Sequence, residues 1–154
     1  MEITDFLTVD RIEIDVRATS KKQVLNVLAQ MGERATGINQ CLIFDTLLFR
    51  ERLGTTGVGN QIAIPHGKLP GLDRVYGTLC RLEKPIDFDA IDDHPVDILF
   101  MLLAPEEAGA DHLKALARIA RVSRDTTKCQ MIREARNPIG IYEVLTAFTE
   151  SRAA

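Results

Sequence analysis

The run from Val96 to Leu103 is apolar at every position except Asp97, and Pro95 and Pro105 bracket it. A strand with no alternating polar residues has no face to give to water, so both of its faces must be covered. The longest uninterrupted apolar stretch, Ile98 to Ala104, is far too short to cross a bilayer. A soluble sheet with a layer on each side is the remaining solution. The surrounding patterns alternate between strand and helix, so the expected fold is α/β: a single domain over residues 1–154, a mixed β-sheet flanked by helices on its faces.

The elements can be placed one by one. Ile12, Ile14 and Val16 alternate with charged residues, as in a half-buried strand. Ser20 and Gln23 form a capping box ahead of Val24, Val27, Leu28 and Met31 at helical spacing, and Gly32 is the expected stop. A second helix begins near Asn39, turns Ile43, Phe44, Leu47 and Leu48 inward, and ends at Gly54. The segment Ile62-Ala63-Ile64 is a short strand cut off by Pro65, and Arg74 to Leu82 is a longer one. Asp111 caps a third helix whose inward face is Leu113, Leu116, Ala117 and Ala120. A short helix covers Thr127 to Ala135. The last begins at Asn137-Pro138 and buries Ile141, Val144, Leu145 and Phe148.

Composition narrows the function classes. A formal charge of -3 lacks the clustered basic face of a nucleic-acid binder. Cys41, Cys80 and Cys129 are odd in number and widely spaced, which predicts ordinary thiols rather than a disulfide framework or a zinc site. No basic patch followed by an apolar stretch opens the chain, so the expected location is cytoplasmic, without membrane insertion.

The chemistry-bearing residues are few. Of three histidines, His66 stands between Pro65 and Gly67, which restrict the backbone before it and remove bulk after it. The expectation is an imidazole on a loop at a strand end, presented to an approaching protein. The glycine-rich segment Gly54 to Asn60 fits no nucleotide motif: Gly67-Lys68 is followed by Leu69, and the order is helix-to-strand rather than strand-to-helix. Its glycines suit tight turns, with N–H groups available to a phosphate. His94, in the acidic turn Asp92-Asp93-His94-Pro95, is assigned no role. Arg118, Arg121 and Arg124 read as a solvated helix face. From the residues alone, Arg50 suits a helix C-terminus and His112 an exposed first-turn position.

The stretch Arg-Glu-Arg-Leu-Gly-Thr-Thr-Gly-Val-Gly-Asn-Gln-Ile-Ala-Ile-Pro-His-Gly-Lys, Arg50 to Lys68, resembles the active-site signature of the mannitol/fructose-type enzyme IIA family of the bacterial phosphoenolpyruvate-dependent phosphotransferase system. Pro85-Ile86-Asp87-Phe88, Pro95 to Phe100 and Asp111-His112-Leu113 extend the resemblance over nearly the whole chain. The Gly-Val-Gly-Asn-Gln version of the loop, with no membrane or carrier domain attached, looks most like the nitrogen-regulatory branch.

This resemblance implies that His66 accepts a phosphoryl group from a histidine-containing phosphocarrier protein, that His112 lies beside it, and that Arg50 reaches the same pocket. It also implies binding roles for Asn60 and Gly67, regulatory target proteins, and neither cofactor nor metal. Asn60 stands where sugar-transporting members often carry an acid, which favours a hydrogen-bonding role. The chemistry agrees: a neutral imidazole is a competent nucleophile, and an arginine fork suits equatorial phosphoryl oxygens. The alternative within the same chemistry is a sugar-transport subunit that passes its phosphoryl group to a IIB component. A histidine hydrolase or metal enzyme is disfavoured by the lack of G-x-S-x-G, H-E-x-x-H or clustered ligands. A plain interaction domain with an incidental His66 is the remaining class.

Overall fold

The computed structural model describes residues 1–153, and in the last helix it describes side chains through residue 147. Two 3₁₀ turns, Ile3–Asp5 and Val9–Arg11, lead into β1 (Ile12–Val16), α1 (Lys21–Thr36) and α2 (Gln40–Leu53). Then come β2 (Gly57–Gly59), β3 (Ile62–Ala63), β4 (His66–Leu69), β5 (Tyr76–Ile86) and β6 (Val96–Pro105). Three helices close the described chain: α3 (Ala110–Arg124), α4 (Thr126–Glu134) and α5 (Pro138–Ala153).

The strands form one mixed six-stranded sheet in the order β1-β5-β6-β3-β2, with β4 also paired to β6. The apolar strand β6 lies inside it, antiparallel to β5 and parallel to β3 and β4. Its period of two sends Ile98, Phe100, Leu102 and Ala104 into a core shared with Ile119, Ile132, Ile141 and Leu145 of α3, α4 and α5. The alternate residues Leu99, Met101 and Leu103 enter a second core with Leu25, Leu28, Ile43 and Leu47 of α1 and α2. Both faces are therefore covered, as the sequence of β6 requires.

Several local expectations are corrected. Ser20 caps α1 by accepting from the Gln23 N–H at 3.2 Å, but Gln23 Oε1 reaches back to the Thr19 N–H at 2.7 Å rather than to Ser20. Gly32 does not stop α1. The helix runs to Thr36 and ends at Gly37, whose φ of 79° is the left-handed cap. Gly32 is instead a contact point: an added Cβ would lie 3.0 Å from Ile43 Cδ1 and 3.1 Å from Leu103 Cδ1. The N-cap of α3 is Gly109, and Asp111 lies in the first turn. The buried face of α3 is His112, Ala115, Ile119 and Val122, while Leu113 is 67% exposed. The expected burial of Phe148 lies outside the described residues.

The segment after Pro65 also differs from the expected loop. β3 pairs with β6 through Ile62↔Ile98 and Ala63↔Leu99, and β4 resumes along the same strand with His66↔Leu102. One strand track is thus broken in the middle. Pro65 has no N–H for the ladder but still accepts from the Leu102 N–H at 3.0 Å, so the chain stays beside β6 through the break.

Candidate functional site

Strand β4 carries His66 and Lys68 on one face and Gly67 and Leu69 on the other. Gly67 is buried toward α2, where an added Cβ would meet Thr46 Cγ2 at 2.6 Å, so only glycine lets the strand lie this close to the helix. His66, half-buried, turns to the other face and meets α3. The His66 and His112 ring centroids are 5.5 Å apart, with the planes tilted by 50°. His112 is in the first turn of α3 but on its buried face, 7% exposed, which corrects the exposed position that its sequence context alone suits.

Nitrogen chemistry differs between the two rings. His66 Nδ1 lies 2.8 Å from the Ile64 carbonyl oxygen. A carbonyl only accepts, so Nδ1 carries the proton and Nε2 keeps its lone pair. Burial holds His66 below the ordinary histidine range; the bond to Ile64 opposes this, and the charge on Arg50 adds to it. His112 Nδ1 is buried and makes no hydrogen bond among the described residues. Its pKa is pushed down to about 4, first by burial and then by the charges of His66 and Lys68. Both rings are neutral near neutral pH.

Arg50, in the last turn of α2, lines the same groove as His66, Gly67 and His112, together with Thr46, Phe49, Leu53 and Lys68. Its Nη1 donates to the Gly54 carbonyl at 2.9 Å, which ties it to the helix end without using the rest of the fork. Phe49 and Leu53 are 67% and 70% exposed, so an apolar rim surrounds two imidazoles and two cations. Such a surface suits a protein partner bearing an anionic group.

Against known proteins, residues 5–147 match the family described as phosphoenolpyruvate-dependent sugar phosphotransferase system, EIIA 2. The chain belongs to this enzyme IIA family. A nitrogen regulatory protein of Bradyrhizobium diazoefficiens is 51% identical over 94% of this chain and 95% of its own. The crystal structure of the nitrogen regulatory protein IIA-Ntr from Neisseria meningitidis superposes with a TM-score of 0.89 at 31% identity, covering 94% of this chain and 99% of that one. Enzyme IIA of the mannitol system from Escherichia coli, solved in complex with phosphorylated enzyme IIB, has a TM-score of 0.77 at 16% identity, over 92% of this chain and 97% of that one. The last comparison speaks to the fold alone. Within the family, the chain resembles the nitrogen-regulatory members, and it is a phosphotransferase-system component.

Asn60 does not line the groove of His66, Arg50 and His112. It is the first of two positive-φ residues, Asn60 at 56° and Gln61 at 64°, in the two-residue turn that joins β2 to β3. Its side chain donates to the Ser123 carbonyl at 2.8 Å, and its own carbonyl accepts from Arg133 at 2.9 Å. The register puts Ile62 opposite Ile98 and His66 opposite Leu102, so four strand positions, roughly 13 Å, separate the turn side of the track from the histidine. Asparagine is explained here by its tolerance of the left-handed region. The glycine-rich segment becomes the connection after α2, strand β2 and its turn.

The residue reading gave no part to Phe49, Leu53, Lys68 or Glu51. Lys68 follows His66 by two positions, a signal hidden while His66 is taken for a loop residue. Glu51 is 7% exposed and accepts from the Thr56 N–H at 3.1 Å, from the Thr56 hydroxyl, and from Lys21 Nζ at 2.9 Å.

Proposed function

We propose that this chain is a phosphohistidine carrier that takes a phosphoryl group on His66 Nε2 from a phosphohistidine of a small histidine-containing phosphocarrier protein. The supporting observation is the Nδ1 bond to Ile64, which leaves Nε2 as the lone-pair nitrogen beside His112. In the step, the Nε2 lone pair forms the new N–P bond as the donor's N–P bond breaks. The donor ring, protonated on its other nitrogen, leaves as a neutral imidazole with the electron pair, and the His66 Nδ1 proton stays on its own ring, hydrogen-bonded to the Ile64 carbonyl. No proton has to move, and no metal is called upon.

Phosphoryl transfer asks mainly for in-line approach and for neutralisation of the equatorial oxygens. Arg50 supplies unused guanidinium donors and Lys68 a second positive charge. For His112, keeping the unpartnered buried Nδ1 as a bare lone pair costs less than burying an unpaired N–H there. Its proton then sits on Nε2, available to a phosphoryl oxygen. Two neutral histidines in opposite tautomers would thus act as nucleophile and donor. Gly67 lets strand β4 lie close against α2, and Phe49 and Leu53 provide apolar contact for the carrier.

The output is regulatory and cytoplasmic. A phosphorylated His66 adds about -1.5 to -2 charges at the centre of an apolar-rimmed face, taking the shift on serine, threonine or tyrosine as the guide. Target proteins that dock there would discriminate between the two forms. The likeness to nitrogen regulatory proteins favours this reading over transfer to a sugar-specific IIB component. The direct test mixes the purified chain with phosphoenolpyruvate, enzyme I and the cognate phosphocarrier, and reads intact mass without acid. Incorporation of one phosphoryl group is expected; none with an active donor would reject the carrier reading.

A further inference from the structure

We infer that Glu51 is a positioning residue for His66, acting through Thr56 and Ile64 to fix the imidazole tautomer. The inference rests on His66 being the nucleophile, as proposed above. A carboxylate in a protein interior is costly unless it is fully engaged, and Glu51 at 7% exposure has three donors. Two come from Thr56, its N–H at 3.1 Å and its hydroxyl. The third is Lys21 at the start of α1, whose Nζ lies 2.9 Å from Glu51 Oε2 and 4.6 Å from the centroid of the Phe88 ring. This engagement clamps the segment after α2 to the helix.

The clamp continues toward the site. The Thr56 carbonyl accepts from the Ile64 N–H at 2.9 Å, and the Ile64 carbonyl accepts from His66 Nδ1 at 2.8 Å. Ile64 lies at the break in the strand track, just before Pro65, where neither β3 nor β4 extends its pairing with β6. Its N–H is held there by Thr56, and Thr56 is held by Glu51. The series Lys21, Glu51, Thr56, Ile64, His66 is linked by consecutive hydrogen bonds joined through the backbones of Thr56 and Ile64, so the coupling from Glu51 to His66 is positional.

The consequence for chemistry follows from imidazole itself. A free neutral histidine side chain favours the tautomer with its proton on Nε2, which has no lone pair there to attack phosphorus. The Ile64 carbonyl reverses that preference, and a displaced carbonyl would return part of the population to the unreactive form.

The test is ¹⁵N NMR of the histidine rings in the unphosphorylated protein, paired with a time course of phosphorylation by the purified phosphocarrier. Wild type should show a protonated Nδ1 on His66. Glu51→Ala should shift His66 toward a tautomer mixture and slow phosphorylation about tenfold, the scale of a small loss of reactive positioning. Glu51→Gln keeps one carbonyl acceptor and should fall between the two. If Glu51→Ala does not fold, Thr56→Val removes only the hydroxyl donor and should move the tautomer in the same direction, with Thr56→Ser restoring it. An unchanged His66 tautomer in the folded variants overturns the inference, as does slowed transfer without a tautomer change. A shifted tautomer in a protein whose wild type takes no phosphate would uphold the positioning role and reject the carrier reading.

Discussion

The two histidines of the groove are 5.5 Å apart, yet the fold treats them in opposite ways. His66 sits on a strand that restarts after a proline, half exposed, with one nitrogen tied to a main-chain carbonyl. His112 sits on a helix face that packs into the core, with one nitrogen buried and without a hydrogen-bond partner among the described residues. The first arrangement suits a nucleophile; the second suits a fixed hydrogen-bond donor. Position in the fold, rather than residue type, separates the roles.

The sharpest way to break this asymmetry is to remove each ring. His66→Ala should abolish phosphoryl acceptance while changing stability little, since the ring is partly exposed and leaves no large cavity. A time course of incorporation together with a thermal melt checks both halves. His112→Ala should still accept phosphate, but about ten- to a hundred-fold more slowly, from the loss of one charge-assisted hydrogen bond worth roughly 1.5–3 kcal/mol. Chase with unphosphorylated carrier then reports whether the group is passed back. Equal inactivity of the two variants would erase the distinction.

A stability measurement sharpens the same contrast from the burial side. His112 has a folded pKa of about 4 against an ordinary 6.5, so below pH 6.5 the unfolded chain binds more protons than the folded one. Stability should therefore be full above pH 6.5 and fall progressively as the pH drops toward 4, by up to about 3 kcal/mol at 1.36 kcal/mol per pKa unit. His112→Phe should flatten that part of the profile more than His66→Ala does, as followed by denaturant midpoints. The smallest expected effect is none: excess chelator should leave transfer between purified partners unchanged, because the donor and acceptor are both imidazoles. Complete loss of transfer would contradict the step as written.

The legible and illegible parts of the fold have physical reasons. Strand β6 could be read because burial on both faces leaves an uninterrupted apolar run. The α2 cap Asn39 and its stop Gly54 were equally plain, and Asn39 does accept from the Cys41 N–H at 2.7 Å. Gly32 misled because a glycine needed for close packing between α1, Ile43 and Leu103 looks the same as one needed to end a helix. The sequence pattern puts the inward face of α3 one position off, since Leu113 is apolar and exposed while His112 is polar and buried. Pro65 reads as the end of a strand, although only one ladder donor is lost there. That hid β4, and with it the pairing of His66 with Lys68 on one face. Glu51 was invisible for another reason: no local pattern announces a buried carboxylate whose partners are Lys21, far back in the chain, and Thr56 in a loop.

The central claim is that phosphate enters at Nε2 of His66 and nowhere else. Uniformly ¹⁵N-labelled chain, phosphorylated by the purified donor system and kept at alkaline pH, allows the phosphorylated ring nitrogen to be assigned directly by coupling to ³¹P. The account predicts a single phosphorus-coupled nitrogen, Nε2 of His66, with Nδ1 of that ring still protonated. Coupling to His112, or to Nδ1 of His66, would contradict it.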